Sequence, residues 1–263
     1  MPSKSAGKTI TKINFTKKGV SVFFSKQRIS ISKDAYVNSF LYVGKTLSDK
    51  EINELTKETR LNKLFSYSLS LLKKGHLSEW KLREKLYAKE ASKSDVDYII
   101  KRLKMNNLID DHMLALDYVE YASEKNIGKN KIIQNLKEKG IFDSEIEKIH
   151  FKDSEERRKA NDLLPLLEKK YQREPYNKKK SHIYQTLISR GFNESIALST
   201  VEKIKGIDEK DESNKIKKDY EKVYRRLSSR YEDNELKEKI FKALKNKGYR
   251  YKDIQKVMEQ YDY

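Results

Sequence analysis

Asp110 and Asp111 are adjacent carboxylates, a type and spacing that could serve metal binding or acid–base chemistry. Adjacent acids also suit a helix N-terminus, where carboxylates accept free backbone N–H groups. No further cluster of Asp, Glu and His residues is spaced to join the pair. We therefore predict that both aspartates cap a helix rather than perform chemistry.

The rest of the sequence offers no candidate for catalysis. The four histidines are far apart and form no HxxxH or HxH pattern, which argues against a metal site. Walker-type phosphate loops, dinucleotide fingerprints and GxSxG elbows do not occur. Without cysteine, the chain can form neither disulfides nor thiolate sites. We predict a protein that is not an enzyme and that needs no cofactor or metal.

Positive charge is the strongest functional signal. The chain has 58 Lys and Arg residues against 40 Asp and Glu residues, which gives a net charge of +18. Such an excess favours a polyanionic partner, with nucleic acid first and acidic protein surfaces second. The alternative is that lysine-rich helices present solvated faces, and this fits much of residues 129–160, where Lys and Glu are interspersed.

The cations are concentrated in a few places. Residues 1–33 contain eight basic residues and no acid. A lysine triplet precedes a helix that ends at residue 190, and a helix over 213–231 carries cations at i, i+3, i+7 and i+10, apart from its buried face. The candidate partner- and DNA-binding residues are Lys178, Lys179, Lys180, Arg190, Lys215, Lys218, Lys222 and Arg225. For the 17 tyrosines, core packing is the default interpretation and base stacking the minority one.

A repeated stop signal organises the sequence after residue 60. The pattern Leu-x-x-(Lys/Arg)-Gly-(apolar) occurs at 136–141, 187–192 and 244–249, and a degenerate copy starts at Leu86. A period of roughly 50 residues indicates tandem three-helix units that bury their apolar faces against their neighbours. We predict a mainly α-helical, elongated and curved array with repeats at 60–107, 108–152, 153–206 and 208–263.

The first 59 residues have a different character. Alternating and β-branched segments before residue 33 predict a β-hairpin or a three-stranded meander. Ser48 and Glu51 have capping-box spacing and predict the start of a helix that runs into the sixties. No segment is apolar enough to span a bilayer, and the N-terminus lacks the apolar region of a secretory signal, so we expect a soluble cytoplasmic protein.

The sequence resembles the RecX family, bacterial regulators of the RecA recombinase. The resemblance covers residues 64–204 and rests on ordered motifs that begin at Leu77, Leu108, Gly128 and Leu187. Lys81, Leu114 and Glu90 depart from the family pattern, which usually has Glu, an aromatic residue and Gly at these positions. The matching residues are Ser78, Leu82, Lys85, Leu86, Asp110, Asp111, Ala115, Tyr118, Gly128, Leu136, Gly140, Leu187, Gly191 and Phe192.

The resemblance implies a regulator that lies in the helical groove of the RecA–DNA filament. Family members typically restrain ATP hydrolysis, filament growth and strand exchange. An elongated basic array could contact several filament protomers and approach the bound DNA, single- or double-stranded, through salt-sensitive contacts. We expect a monomer, and we expect charge reversal of Lys178, Lys179 and Lys180 to weaken filament binding.

Two other functions remain open. A general nucleic-acid-binding repeat protein without a recombinase partner would bind naked DNA or RNA tightly, with a steep dependence on salt. A transcription factor would show sequence preference and usually a symmetric dimer, but no helix here stands out as a recognition helix.

Overall fold

A computed structural model describes residues 7–17 and 19–261. Lys4 and Lys18, two of the basic residues of the first segment, lie outside this range. The strands are β1 (Lys8–Thr16), β2 (Gly19–Phe24), β3 (Arg28–Ile31) and β4 (Thr46–Leu47). The helices are α1 (Lys33–Asn38), α2 (Asp49–Leu72), α3 (Glu79–Tyr87), α4 (Lys93–Met105), α5 (Asp111–Glu124), α6 (Lys129–Glu138), α7 (Asp143–Ile146), α8 (Asp153–Lys170), α9 (Tyr176–Ser189), α10 (Glu194–Val201), α11 (Glu209–Leu227), α12 (Asp233–Asn246) and α13 (Tyr251–Tyr261). The mainly helical class with a small N-terminal strand module is therefore confirmed.

The chain divides into two compact units. The N-terminal unit runs as far as Leu114 and includes Lys139–Ile141, and the C-terminal unit contains Ala115–Glu138 and the chain from Phe142 onward. Each unit is described by itself below.

The N-terminal unit begins with an antiparallel sheet of strand order β3-β2-β1-β4. The predicted meander forms its first three strands, because alternation turns Val20, Val22 and Phe24 of β2 towards one buried face. The two-residue strand β4 and the short helix α1 were not predicted. Helices α1 and α2 pack against the sheet, so one of its faces is core.

Helix α2 starts as predicted and extends further than expected. The Ser48 side chain accepts the Glu51 backbone N–H, and the Glu51 carboxylate accepts the Ser48 N–H at 2.7 Å, which completes the capping box. Ile52 belongs to the core of the sheet, whereas Leu64 belongs to the core formed with α3 and α4. The proposed boundary after residue 59 thus falls inside one continuous helix, and the division into 1–59 and four repeats stays a prediction.

The helices after α2 follow the repeated stop signal. Its leucine is completely buried in every copy, at Leu86, Leu136, Leu187 and Leu244. Around these leucines, the last part of α2 packs with α3 and α4, α8 packs with α9 and α10, and α11 packs with α12 and α13. Helices α5, α6 and α7 form the remaining triple, in which Ala115, Ala122, Ile132 and Ile146 are buried.

The glycine of each stop lies against the start of an earlier helix. A Cβ on Gly140 would meet the side chains of Trp80 and Ser78, and one on Gly248 would meet Lys178. Gly191 lies against Lys131, and its carbonyl accepts the Asn130 N–H at 2.9 Å. We call these three contacts the glycine junctions. Each stop glycine also has a positive φ of 80–97°, which only glycine adopts readily.

A carboxylate from a later helix caps the first N–H of α3, α6 and α9. The pairs are Asp111 with Glu79 (2.8 Å), Glu156 with Lys129 (2.8 Å) and Glu212 with Tyr176 (3.0 Å). We call them the cross-repeat caps. Gly128 and Pro175, which precede α6 and α9, have no side chain that can cap, so the distant carboxylate satisfies an otherwise free donor.

Candidate functional site

The aspartate pair is structural. The Asp110 carboxylate accepts the backbone N–H groups of His112 and Met113 at 2.9 and 3.1 Å, as a cap of α5. Asp111 caps α3 instead of its own helix, so the prediction that both cap one helix is corrected for Asp111. Across residues 7–17 and 19–261, no group of three or more metal-ligating side chains is found.

The family-motif residues are placed in cores and junctions. Leu82, Leu86, Ala115, Leu136 and Leu187 are fully buried, and Phe192 is almost so. Ser78 caps α3, and its hydroxyl donates to the Lys139 carbonyl at 2.5 Å. The Tyr118 hydroxyl accepts from Asn135, and the Gly128 N–H donates to the Arg190 carbonyl. Of these motif residues, Lys85 and the capping Asp110 are exposed to solvent. The motifs therefore build the scaffold rather than a reactive centre.

The basic residues of α11 line an open groove of about 540 Å³. Lys215, Lys218 and Lys222 form one side, as the helical spacing predicts, and Arg173 comes from the segment between α8 and α9. The lining residues are Gln172, Arg173, Asp211, Lys215, Lys218, Asp219 and Lys222. We call this feature the α11 groove.

The two acids in the α11 groove form ion pairs with Lys215 and Lys247. Asp211 pairs with Lys215 at 2.6 Å. Asp219 pairs with Lys247 at 2.7 Å and accepts the Tyr249 hydroxyl at 2.9 Å. Within the described part of the chain, Arg173, Lys218 and Lys222 form no ion pair. These three cations are therefore free to bind an anionic ligand.

Two residues that contact groove residues or adjoin them in sequence have shifted pKa values. Burial raises the pKa of Glu212, although the Tyr176 N–H and Lys215 oppose the shift. Burial also raises the pKa of the Tyr249 hydroxyl, and its hydrogen bond to Asp219 adds to the effect. Tyr249 therefore stays neutral and keeps donating to Asp219.

Arg225 lies on the same helix but lines a different pocket. This pocket, of about 420 Å³, is formed by Tyr220, Glu221, Tyr224, Arg225 and Tyr261, and we call it the tyrosine pocket. The Tyr220 ring stacks on Tyr261 with a centroid distance of 4.5 Å. Core packing holds for Tyr220, which is 7% exposed, but not for Tyr224 or Tyr121, which are 45% and 52% exposed. Arg225 thus shares helix α11 with Lys215, Lys218 and Lys222 but does not line the α11 groove, and the single cationic face stays a prediction.

The other candidate cations do not line the α11 groove. Lys178 is half-buried and lies at a glycine junction against Gly248. The Lys179 and Lys180 ammonium groups lie 5.7 and 5.6 Å from the centroid of the Tyr176 ring. Arg190 donates to the Lys125 carbonyl at 3.2 Å. Charge reversal at Lys178 would therefore also disturb packing, whereas Lys179 and Lys180 test charge more cleanly.

Sequence reasoning missed Arg173, Gln172 and Tyr261. Arg173 and Gln172 follow α8, and no periodic pattern marks them as neighbours of α11. The one available signal was the basic and aromatic composition of the segment YQREPY, which is consistent with a surface loop.

In the part of the chain that is described, no helix is both long and apolar enough to cross a bilayer.

Comparison with known proteins supplies the family. No protein-family model matches the chain. It is 30% identical over 251 residues to Regulatory protein RecX of Lactococcus lactis subsp. lactis (strain IL1403), covering 93% of both chains. It is 29% identical to Regulatory protein RecX of Streptococcus agalactiae serotype III (strain NEM316), covering 89% of this chain and 92% of that one.

Solved structures agree with this fold. A crystal structure of regulatory protein RecX matches with a TM-score of 0.60 and 24% identity, covering 74% of this chain and all of that one. RecX from Lactobacillus salivarius matches with a TM-score of 0.51 and 25% identity, covering 55% of this chain and 96% of that one. On the strength of its curated relatives, the chain belongs to the RecX family of regulatory proteins.

Proposed function

We propose that the protein is a non-enzymatic regulator that binds the RecA–DNA filament and restrains its ATP hydrolysis, growth and strand exchange. The observation that carries the proposal is the 30% identity with a RecX regulatory protein over 93% of the chain. The partner named here is the one that the family resemblance implies.

The α11 groove supports a contact with the DNA of the filament. Its three unpaired cations can each neutralise a phosphate, and they are displayed on a helix and an adjacent loop. In this proposal Lys218 and Lys222 bind phosphates directly, while Lys215 is held by Asp211 and shapes the groove. Lys179, Lys180 and Arg190 provide further basic surface, and Arg225 acts separately beside the tyrosine pocket.

Steady-state ATP hydrolysis by RecA on single-stranded DNA tests the proposal. The protein is titrated below the RecA concentration, and its binding to naked DNA is measured in the same salt. Inhibition at sub-stoichiometric amounts, where naked DNA is hardly bound, is the expected result. Inhibition that begins only once the protein coats the DNA would contradict it.

That second outcome would favour a general nucleic-acid-binding repeat protein. This alternative is supported by the presence on α11 of both unpaired cations, in the groove, and an exposed tyrosine, Tyr224, beside Arg225. Cations and aromatic rings together suit single-stranded nucleic acid. Monomeric state and cytoplasmic location are part of the main proposal. Sedimentation velocity across a range of protein concentrations tests the first of these.

A further inference from the structure

Helices α1 and α2 pack against one face of the sheet of the N-terminal unit, and among residues 7–17 and 19–261 the structure shows no helix packed in this way on the opposite face. Strand pairing aligns Ile13 with Val22 and Ile29 on the core face. The next row, on the opposite face, aligns Lys12 with Phe23 and Arg28. Alternation along the strands therefore places an aromatic ring between two cations on the outer face.

The neighbouring row on this outer face is small and polar. It aligns Asn14 with Ser21 and Ser30. Lys12, Asn14, Arg28 and Ser30 are exposed, whereas Phe23 and Ser21 are half-buried. The polar row offers hydrogen-bond donors and leaves room beside the ring. We call these six residues the outer sheet face.

The charge of the outer sheet face is one-sided. From residue 7 to residue 33 the sequence contains no Asp or Glu. Lys8 pairs with Asp49 at 2.8 Å, but Lys12 and Arg28 form no ion pair with any described residue. A solvated surface of this kind usually mixes both signs, so an acid-free face with a central aromatic ring calls for a functional explanation.

We propose that the outer sheet face is a binding site for single-stranded nucleic acid. Phe23 stacks on a base, and Lys12 and Arg28 bind the flanking phosphates. Aromatic residues on an open sheet surface, with cations along the strand path, are a recurring solution for unpaired bases. Duplex DNA keeps its bases inside its own stack, so the ring would contribute nothing to duplex binding.

Arg28 is already positioned to take part. Its guanidinium carbon lies 5.9 Å from the centroid of the Phe23 ring, over the ring face. Because Arg28 is exposed and unpaired, it can move aside to a phosphate while a base takes its place against the ring. The weak contact of an exposed cation with a ring is thereby exchanged for stacking and a charge-assisted phosphate contact.

This site is separate from the α11 groove and does not rest on a recombinase partner. The test therefore uses only the full-length protein and synthetic DNA. Binding to a fluorescein-labelled 20-nucleotide oligothymidine and to a duplex of the same length is followed by fluorescence anisotropy. Phe23→Ala should weaken oligothymidine binding about tenfold and leave duplex binding unchanged.

Two matched variants distinguish the site from general charge and from misfolding. Lys12→Glu should weaken oligothymidine binding, whereas Lys57→Glu, at an exposed lysine of α2 with the same charge change, should have a much smaller effect. Phe15→Ala should leave binding unchanged. Phe15 is an aromatic residue of β1 that is 65% exposed, but it pairs with Val20 in a row of the core face and not of the outer sheet face. Far-UV circular dichroism confirms that each variant is folded.

Photo-cross-linking gives a readout that loss of stability cannot imitate. Oligothymidine containing 5-iododeoxyuridine should cross-link to the peptide that contains Phe23, and Lys218→Glu/Lys222→Glu should not abolish this cross-link. Cross-links confined to α11, or equal loss of single-strand and duplex binding in Phe23→Ala, would overturn the proposal.

Discussion

Glu212 of α11 accepts the backbone N–H of Tyr176 at the start of α9, with a distance of 3.0 Å to Oε1. The residue before Tyr176 is Pro175, whose side chain cannot accept a hydrogen bond. Asp111 and Glu156 make the corresponding contacts with Glu79 and Lys129. A carboxylate on one helix thus completes the hydrogen bonding of an earlier helix, and this links helices that are distant in sequence within each unit.

Glu212→Ala should destabilise the C-terminal unit by about 1–3 kcal/mol, because the Tyr176 N–H loses its acceptor in a partly buried position. Urea unfolding and amide exchange at Tyr176 measure the effect. Glu238→Ala, at an exposed glutamate of α12, is the control and should change stability by less than about 0.5 kcal/mol. Unchanged amide exchange at Tyr176 would contradict the capping role.

Stability should depend on pH in opposite senses at Glu212 and Glu79. Burial raises the folded-state pKa of Glu212 above its ordinary 4.5, so its contribution to stability is present below that value and is lost as pH rises through the folded-state pKa. Burial also acts to raise the pKa of Glu79, but hydrogen bonds from Lys104 and Arg83 outweigh it and lower the pKa below 4.5. The contribution of Glu79 is therefore present above pH 4.5 and is lost as pH falls through the folded-state pKa.

Urea unfolding between pH 3 and pH 8 tests this pair of signs with Glu212→Gln and Glu79→Gln. The stability lost on Glu79→Gln should be greatest at neutral pH and shrink in acid. Glu212→Gln should remove a decline in stability that the unmodified protein shows as pH rises above about 4.5. If the free energy of unfolding of both variants depended on pH in the same way, the opposite pKa shifts assigned to Glu212 and Glu79 would be wrong.

The stop glycines combine a special backbone conformation with close packing. Gly191→Ala should cost more than about 2 kcal/mol, because φ is +91° and an added Cβ would overlap Lys131. Gly44→Ala tests the backbone term alone, since φ is +95° but nothing lies within 4 Å, and should cost about 1 kcal/mol. Gly75→Ala, in open space with an ordinary φ, should be neutral or slightly stabilising. Equal effects at Gly191 and Gly44 would rule out the packing contribution.

Charge reversal in the α11 groove should weaken binding to single-stranded DNA. Lys218→Glu/Lys222→Glu should reduce the slope of log affinity against log salt by about 1.4, since each single-strand phosphate contact contributes about 0.7. Lys242→Glu/Lys245→Glu makes the same charge change at exposed positions of α12 outside the groove. If both double variants lower affinity equally, only the net charge matters and the groove is not a site.

Local patterns were sufficient to predict much of this fold. Alternation in β2, the capping box of α2 and the Leu-x-x-(Lys/Arg)-Gly stops each act within a few residues, so they are visible in sequence. β4 has only two residues, too few for a period to show. Asp111 caps a helix that lies 32 residues earlier, and no local rule identifies a partner at that distance.

The candidate site was predictable only in part. Helical spacing grouped Lys215, Lys218 and Lys222, which line the α11 groove, with Arg225, whose side chain lines the pocket beside Tyr224. Arg173 joins the groove through tertiary packing of a loop, which spacing along α11 cannot reveal. Periodicity also identifies a helix face without showing whether another element covers it. The exposure of Tyr224 could therefore not be predicted from its helical spacing.

The most direct test of the central proposal is co-sedimentation of this protein with RecA filaments assembled on single-stranded DNA. The salt concentration is set where the protein does not pellet with the same DNA alone. We expect it to pellet with the filament at less than one molecule per RecA protomer, and the Lys179→Glu/Lys180→Glu variant to pellet less. A protein that pellets with naked DNA and filament equally at every salt concentration would contradict a filament-directed function.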